Sequence, residues 1–247
     1  QSGDPRREVQ ALSGLVDALL ATDRLDGAEI HVNRLSRVAN ESGDTRNIAQ
    51  ASYSAGLLYL RWRNLEEAEN AFRQSLALAA TLGDDRLQLD CQNCLGEVFR
   101  YRGRFREAED LYQSSARFAR ERGWDSRSAI AHINMALISL EIGEERRART
   151  AVDSAAMVLL NHPQHWTWIY VALARSLWAA RDGDESACRG WWSVARERGL
   201  ERVRDADQKL PLELLAEATE RLGLHDISRR ARELSEEAAM SLDPSPG

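Results

Sequence analysis

The chain has 247 residues, 43% hydrophobic and 29% charged, with a formal net charge of −6. That length and composition suffice to bury a continuous core. The acidic balance argues against a general nucleic-acid binder, which needs a basic face to neutralise phosphates, and no run reaches the ~18 apolar residues of a membrane helix, so neither a nucleic acid nor a membrane is expected as partner.

Five prolines, with none between Pro5 and Pro163, leave long stretches free to be helical. Alanine, leucine, arginine and glutamate dominate, and all are good helix formers. Lys209 is the only lysine among 33 basic residues, an arginine excess that fits a GC-rich bacterial genome. Three cysteines, Cys91, Cys94 and Cys188, are too few for a disulfide framework and fit a reducing, cytoplasmic setting. The opening residues Gln1 to Pro5 carry neither a signal peptide nor a methionine and read as the start of a segment from a longer protein.

Self-similarity governs the rest of the chain. Steps of 40 residues connect Ala28, Ala68, Ala108, Ala148, Cys188 and Ser228, all small. Four residues after each come Val32, Phe72, Tyr112, Val152 and Trp192, all large, until Arg232 ends the series. Glycines keep the same interval in two sets, Gly43, Gly83 and Gly123, then Gly103, Gly143, Gly183 and Gly223. Glycine past a helix end adopts the left-handed conformation without penalty, so two sets per period predict two helix ends per period. A second small series, Gly56, Gly96, Ala136, Ser176 and Ala216, belongs to the first helix of each pair. The prediction is an all-α chain of antiparallel helix pairs, packed closely where small residues cross.

In chain order, residues 1–8 are expected as a flexible segment, 9–240 as one solenoid of six 40-residue repeats, and 241–247 as a disordered tail. The first repeat is degenerate. The second carries Ala55-Gly56-x-x-Tyr59 followed by Ala68 and Phe72. The third carries Leu95-Gly96-x-x-Phe99 followed by Ala108 and Tyr112, and the fourth Met135-Ala136, Ala148 and Val152. The fifth and sixth are degenerate, with tryptophans at 166, 168, 178, 191 and 192, of which two or three are expected to be buried.

The second and third repeats resemble the tetratricopeptide consensus of Leu-Gly, an aromatic, Ala and a second aromatic. The 40-residue period exceeds that family's usual 34 and resembles the longer repeats C-terminal to catalytic or ATPase modules of bacterial Ser/Thr kinases and of STAND or helix-turn-helix regulators. The resemblance implies a right-handed superhelical solenoid whose first helices line a concave groove. It places in that groove Tyr53, Leu57 and Leu60, then Asp90, Asn93, Glu97 and Arg100, then Ile130, Ile133, Leu137 and Leu140, then Tyr170, Leu173 and Leu177, with Asn134 beside the stripe. Apolar strips around Asn93, Glu97 and Arg100 suit an extended segment or amphipathic helix of a protein partner; cover by the solenoid's own curvature is the competing explanation. Truncation of Asn93 or Arg100 is expected to leave stability unchanged. The function implied is a protein-interaction or regulatory-sensor region of a larger signalling protein. The alternative is homodimerisation through the apolar groove or the Trp-rich repeats.

Catalytic signatures are absent: the sequence has no GxxxxGK[ST], GxSxG, HExxH or GxGxxG. Neither a catalytic residue nor a cofactor is expected. Cys91-x-x-Cys94 falls inside a helix without a second cysteine pair to complete a zinc site and reads as packing. His162 and His165 flank Pro163-Gln164 with no identifiable third ligand and read as a loop break, so no metal is expected. Arg100-Tyr101-Arg102-Gly103-Arg104-Phe105-Arg106 interleaves basic and aromatic residues as single-strand binders do. Phe105 is nevertheless a packing position and Gly103 a turn, which makes these arginines a solvated hairpin balanced by Glu107, Glu109 and Asp110.

Overall fold

The computed structural model describes residues 4–22, 24–202 and 206–240. Every regular element among them is helical: α1 (Pro5–Ala21), α2 (Leu25–Ser42), α3 (Thr45–Arg61), α4 (Leu65–Leu82), α5 (Asp85–Tyr101), α6 (Phe105–Glu121), α7 (Asp125–Glu141), α8 (Glu145–Val158), α9 (Trp168–Arg181), α10 (Glu185–Glu197), α11 (Lys209–Arg221) and α12 (His225–Met240), with a 3-10 turn at Ala206–Gln208. The tail expected at 241–247 and the first three residues lie outside the described part.

The 40-residue interval read from the sequence is the interval of the fold. Ala28, Ala68, Ala108, Ala148, Cys188 and Ser228 are all fully buried, and Val32, Phe72, Tyr112, Val152 and Trp192 are buried four residues later. A Cβ added to Gly56 would stand 2.6 Å from the Phe72 ring, so only glycine lets this first helix approach the second. All seven glycines of the two spaced sets have positive φ. Gly43 and Gly83 cap α2 and α4 in the left-handed conformation. At the other ends, Asp44 and Asp84 accept hydrogen bonds from the first free N–H groups of α3 and α5, at 2.7 Å and 3.2 Å respectively.

Two helix starts stand out. Helix α1 starts at Pro5, inside the stretch expected to be flexible, because proline is favoured in a first turn and Asp4 caps it through the Arg6 N–H at 3.0 Å. Helix α9 starts at Trp168, three residues later than 40-residue steps from Asp125 would put it. Pro163 disfavours helix in the residue before it, and the chain runs through turns from Leu159 to Thr167.

By its internal packing the chain divides into two compact units, 1–111 and 112–247, with the boundary inside α6. Repeat arrays lend themselves to such division, because each repeat contacts only its neighbours. In the first unit α1 packs on α2, α3 on α4, α2 on α3 and α4 on α5, while the first helices form a row in which α1 meets α3 and α3 meets α5. This unit holds several small apolar clusters, one of them built from Val16, Leu19, Leu20, Ala28, Val32 and Leu58; Ala68, Phe72, Leu95, Val98 and Phe99 are buried in it as well. In the second unit α7/α8, α9/α10 and α11/α12 form hairpins and α9 also packs on α11. One apolar cluster runs continuously from Ala129 to Leu234 and takes in Trp178 and Trp192. Trp166 is exposed, and Trp168 and Trp191 are half-buried.

Candidate partner-binding face

Successive first helices of the first unit meet through equivalent positions. Ser13 and Ser54 hydroxyls lie 3.2 Å apart, and 40 residues on the Cys94 thiol donates to the Tyr53 hydroxyl at 3.8 Å. The second contact fixes the Tyr53 ring, which also tilts against Phe72 at 5.9 Å between centroids. Burial pushes the Tyr53 hydroxyl and the Cys94 thiol well above their ordinary pKa values, and the Cys91 thiol to about 12. Thiols this reluctant to ionise are poor nucleophiles and metal ligands, so this cysteine pair contributes packing.

The expected face residues divide by accessibility. Tyr53, Leu57, Asn93 and Glu97 are half-buried along α3 and α5 and present polar and apolar surface together. Leu60 and Arg100 on the same helices are buried, as are Ile133, Asn134 and Leu137 on α7 and Tyr170 on α9 in the second unit. Arg100 requires a correction. At 5% exposure, with its guanidinium 4.4 Å from the Tyr101 ring centroid, it is a buried charge. Its truncation acts on stability as well as on any partner, because a buried charge is held by the groups packed on it.

The neighbouring arginines form a stacked and paired cluster. Arg63 lies over the Tyr101 ring at 3.7 Å and Arg104 over Phe99 at 4.2 Å. Arg102 pairs with Glu69 of the preceding repeat, and Arg104 with Glu107. The expected balance by Glu107 is present; the pairing with Glu69 was not foreseen. The histidines of the 159–167 turns are also engaged: His162 Nε2 lies 3.3 Å from Asp125, and His165 Nδ1 lies 2.7 Å from the Thr167 hydroxyl. Among the described residues no group of three potential metal ligands gathers there or elsewhere.

A cavity of about 420 Å³ opens on the row of first helices in the first unit, between α1, α3 and α5. Its lining includes Gln10, Ser13 and Asp17 from α1, Asn47 and Gln50 from α3, and Leu87 from α5. Gln10, Ser13 and Asp17 stand 40 residues before Gln50, Tyr53 and Leu57. The signal that places Tyr53 and Leu57 on the face therefore also marks these three, but the degenerate consensus of the first repeat concealed them. Arg46 and Asp84 close one side with a 2.9 Å ion pair. Asp17 forms no ion pair or hydrogen bond with another described residue, and desolvation raises its carboxyl above the usual range.

Helix pairs in 40-residue register, with small residues at the crossings, define a tetratricopeptide-like helical-repeat fold, and comparison with solved structures gives the same class. Aspartyl phosphate phosphatase F from Bacillus subtilis matches with a TM-score of 0.75 at 11% identity, over 100% of this chain and 64% of that one. A Rap protein complexed with competence and sporulation factor matches at 0.72 and 16% identity, over 97% of this chain and 67% of that one. Pseudomonas aeruginosa pilF matches at 0.59 and 14%, over 96% of each chain. The chain thus spans about two thirds of the length of the two Rap-type structures, and at these identities the likeness is one of fold. Neither a comparison with protein-family models nor one with curated proteins yields a match. Among the described residues no helix is long and apolar enough to cross a membrane.

Proposed function

We propose that this chain is a protein-interaction module that binds a segment of a partner protein along the row of first helices α1, α3 and α5, and that it serves as a regulatory region of a larger bacterial signalling protein. The observation that carries this reading is the open cavity on that row, continued along α3 and α5 by Tyr53, Leu57, Asn93 and Glu97. A polar cavity beside partly accessible apolar side chains suits an extended or helical segment, which needs both hydrogen bonds and an apolar seat. Leu60 and Arg100 set the floor of this face, and Ile133, Asn134, Leu137 and Tyr170 hold the equivalent positions of the second unit. The module acts by binding rather than catalysis. Three buried free thiols favour a cytoplasmic setting. The Rap protein solved in complex with competence and sporulation factor is a fold relative with a bound partner, which supports the reading by analogy.

The test is affinity for peptides selected from a random display library on the wild-type chain, read by fluorescence anisotropy. Asn93→Ala is expected to weaken binding by about 1–3 kcal/mol, the range for a lost buried polar contact, with little change in thermal midpoint. Equal affinity would remove Asn93 from the face. A second reading, self-association, draws on exposed Met157, Leu160 and Trp166, which are 70%, 68% and 48% accessible within ten residues of chain. Joined in one patch, such side chains would mark an association surface. Light scattering at micromolar concentration separates the two readings, since a monomer rules out the dimer.

A further inference from the structure

The charges inside the cavity specify one group that its occupant carries, an inference that rests on the reading of this face as a partner-binding surface. Arg46 and Asp84 neutralise each other. Asp17 has no such neighbour: no hydrogen bond or ion pair joins it to another described residue, and its carboxyl is partly desolvated by the surrounding walls. The other lining charge without an ion pair among the described residues belongs to Arg6, three turns before Asp17 on α1, about 16 Å along the helix axis at 1.5 Å per residue. No ion pair joins the two, and partial burial alone, with no opposing cation, shifts the Asp17 carboxyl upward. Asp17 is exposed at the mouth of the cavity and only partly desolvated, and a carboxylate so placed without a counter-charge gains from a cation seated on it.

We propose that the cavity is a subsite for a lysine or arginine side chain of the partner segment, seated on the Asp17 carboxylate, with the Gln10 and Gln50 amides bonding the adjacent peptide groups. Amide side chains offer a donor and an acceptor together, which matches a passing backbone. The paired Arg46 and Asp84 at the wall discourage a second charge of either sign beside the first.

The test is parallel selection of random linear peptides, displayed on phage, against the wild-type chain, Asp17→Asn and Asp17→Glu. Sequencing of the recovered pools should show lysine or arginine enriched at one fixed position with wild type and with Asp17→Glu, and that enrichment lost with Asp17→Asn. Asp17→Asn should also melt no lower than wild type at neutral pH. The folded-state pKa of Asp17 is raised, so the ionised carboxylate opposes folding above that pKa, and the amide removes the opposition. Pools that share a consensus without a basic position, or that keep it unchanged in Asp17→Asn, would overturn the subsite and leave the binding face standing. Failure of all three proteins to enrich any peptide would overturn the binding face and the subsite together.

Discussion

Residues 1–111 and 112–247 build the same 40-residue plan from different materials. In the first unit glycine closes the crossing of α3 against Phe72, several apolar clusters are small, and a polar cavity opens on the row of first helices. In the second, tryptophans and long aliphatic chains merge into one continuous core. Electrostatics differ as well. Glu69 with Arg102 and Arg149 with Asp182 occupy positions exactly two repeats apart, and the signs are reversed. A repeat sequence risks packing one repeat against the wrong neighbour; an inverted charge pair makes the matching position in the other unit a like-charge clash. Repeat geometry therefore constrains size at the crossings and leaves polarity free.

The largest effects should separate these two kinds of core. Trp192→Ala removes a large buried side chain from the continuous cluster and should cost about 3–5 kcal/mol in denaturant titration; a loss below 1 kcal/mol would show that the late tryptophans are not structural. Next come the crossings. Gly56→Ala and Ala148→Leu should each cost about 1–3 kcal/mol by overpacking, and an unchanged melting midpoint in either would break the shared register. The charge inversion is then sharpened by exchange. Glu69→Arg alone sets an arginine among Arg73, Arg102 and Arg104 and should cost about 1 kcal/mol, with Arg102→Glu in the same chain restoring part of it. Absence of restoration would mean the pair does not contribute to register.

The smallest effect concerns Arg63, the only described non-glycine residue with positive φ, at 59°. It holds the position that Gly103, Gly143, Gly183 and Gly223 hold in later repeats. The left-handed strain is offset by stacking on Tyr101. Arg63→Ala keeps the strain and loses the stacking, whereas Arg63→Gly loses both. The glycine variant should therefore be the more stable of the two by about 1 kcal/mol, and the reverse order in thermal melts would deny the strain.

Much of the fold was legible because its determinants are local and repeated: a small residue at each crossing, a large one four later, and a glycine past each helix end. Nothing in the 40-residue beat changes at Leu111, where the two compact units divide. The face was legible only in part. Spacing identifies which side of a helix a residue occupies but not how far neighbouring helices cover it. Tyr53 and Asn93 thus remain accessible, while Arg100, two turns beyond Asn93 on the same helix, is buried. Gln10, Ser13 and Asp17 were within reach of the same spacing, hidden by a first repeat without consensus residues.

Hydrogen–deuterium exchange of the full chain, with and without a saturating library-selected peptide, tests the central claim most directly. The account predicts added protection confined to α1, α3 and α5, strongest around Asp17, Gln50 and Asn93. Protection centred on residues 157–168, around Met157, Leu160 and Trp166, with the first unit unchanged, would contradict it.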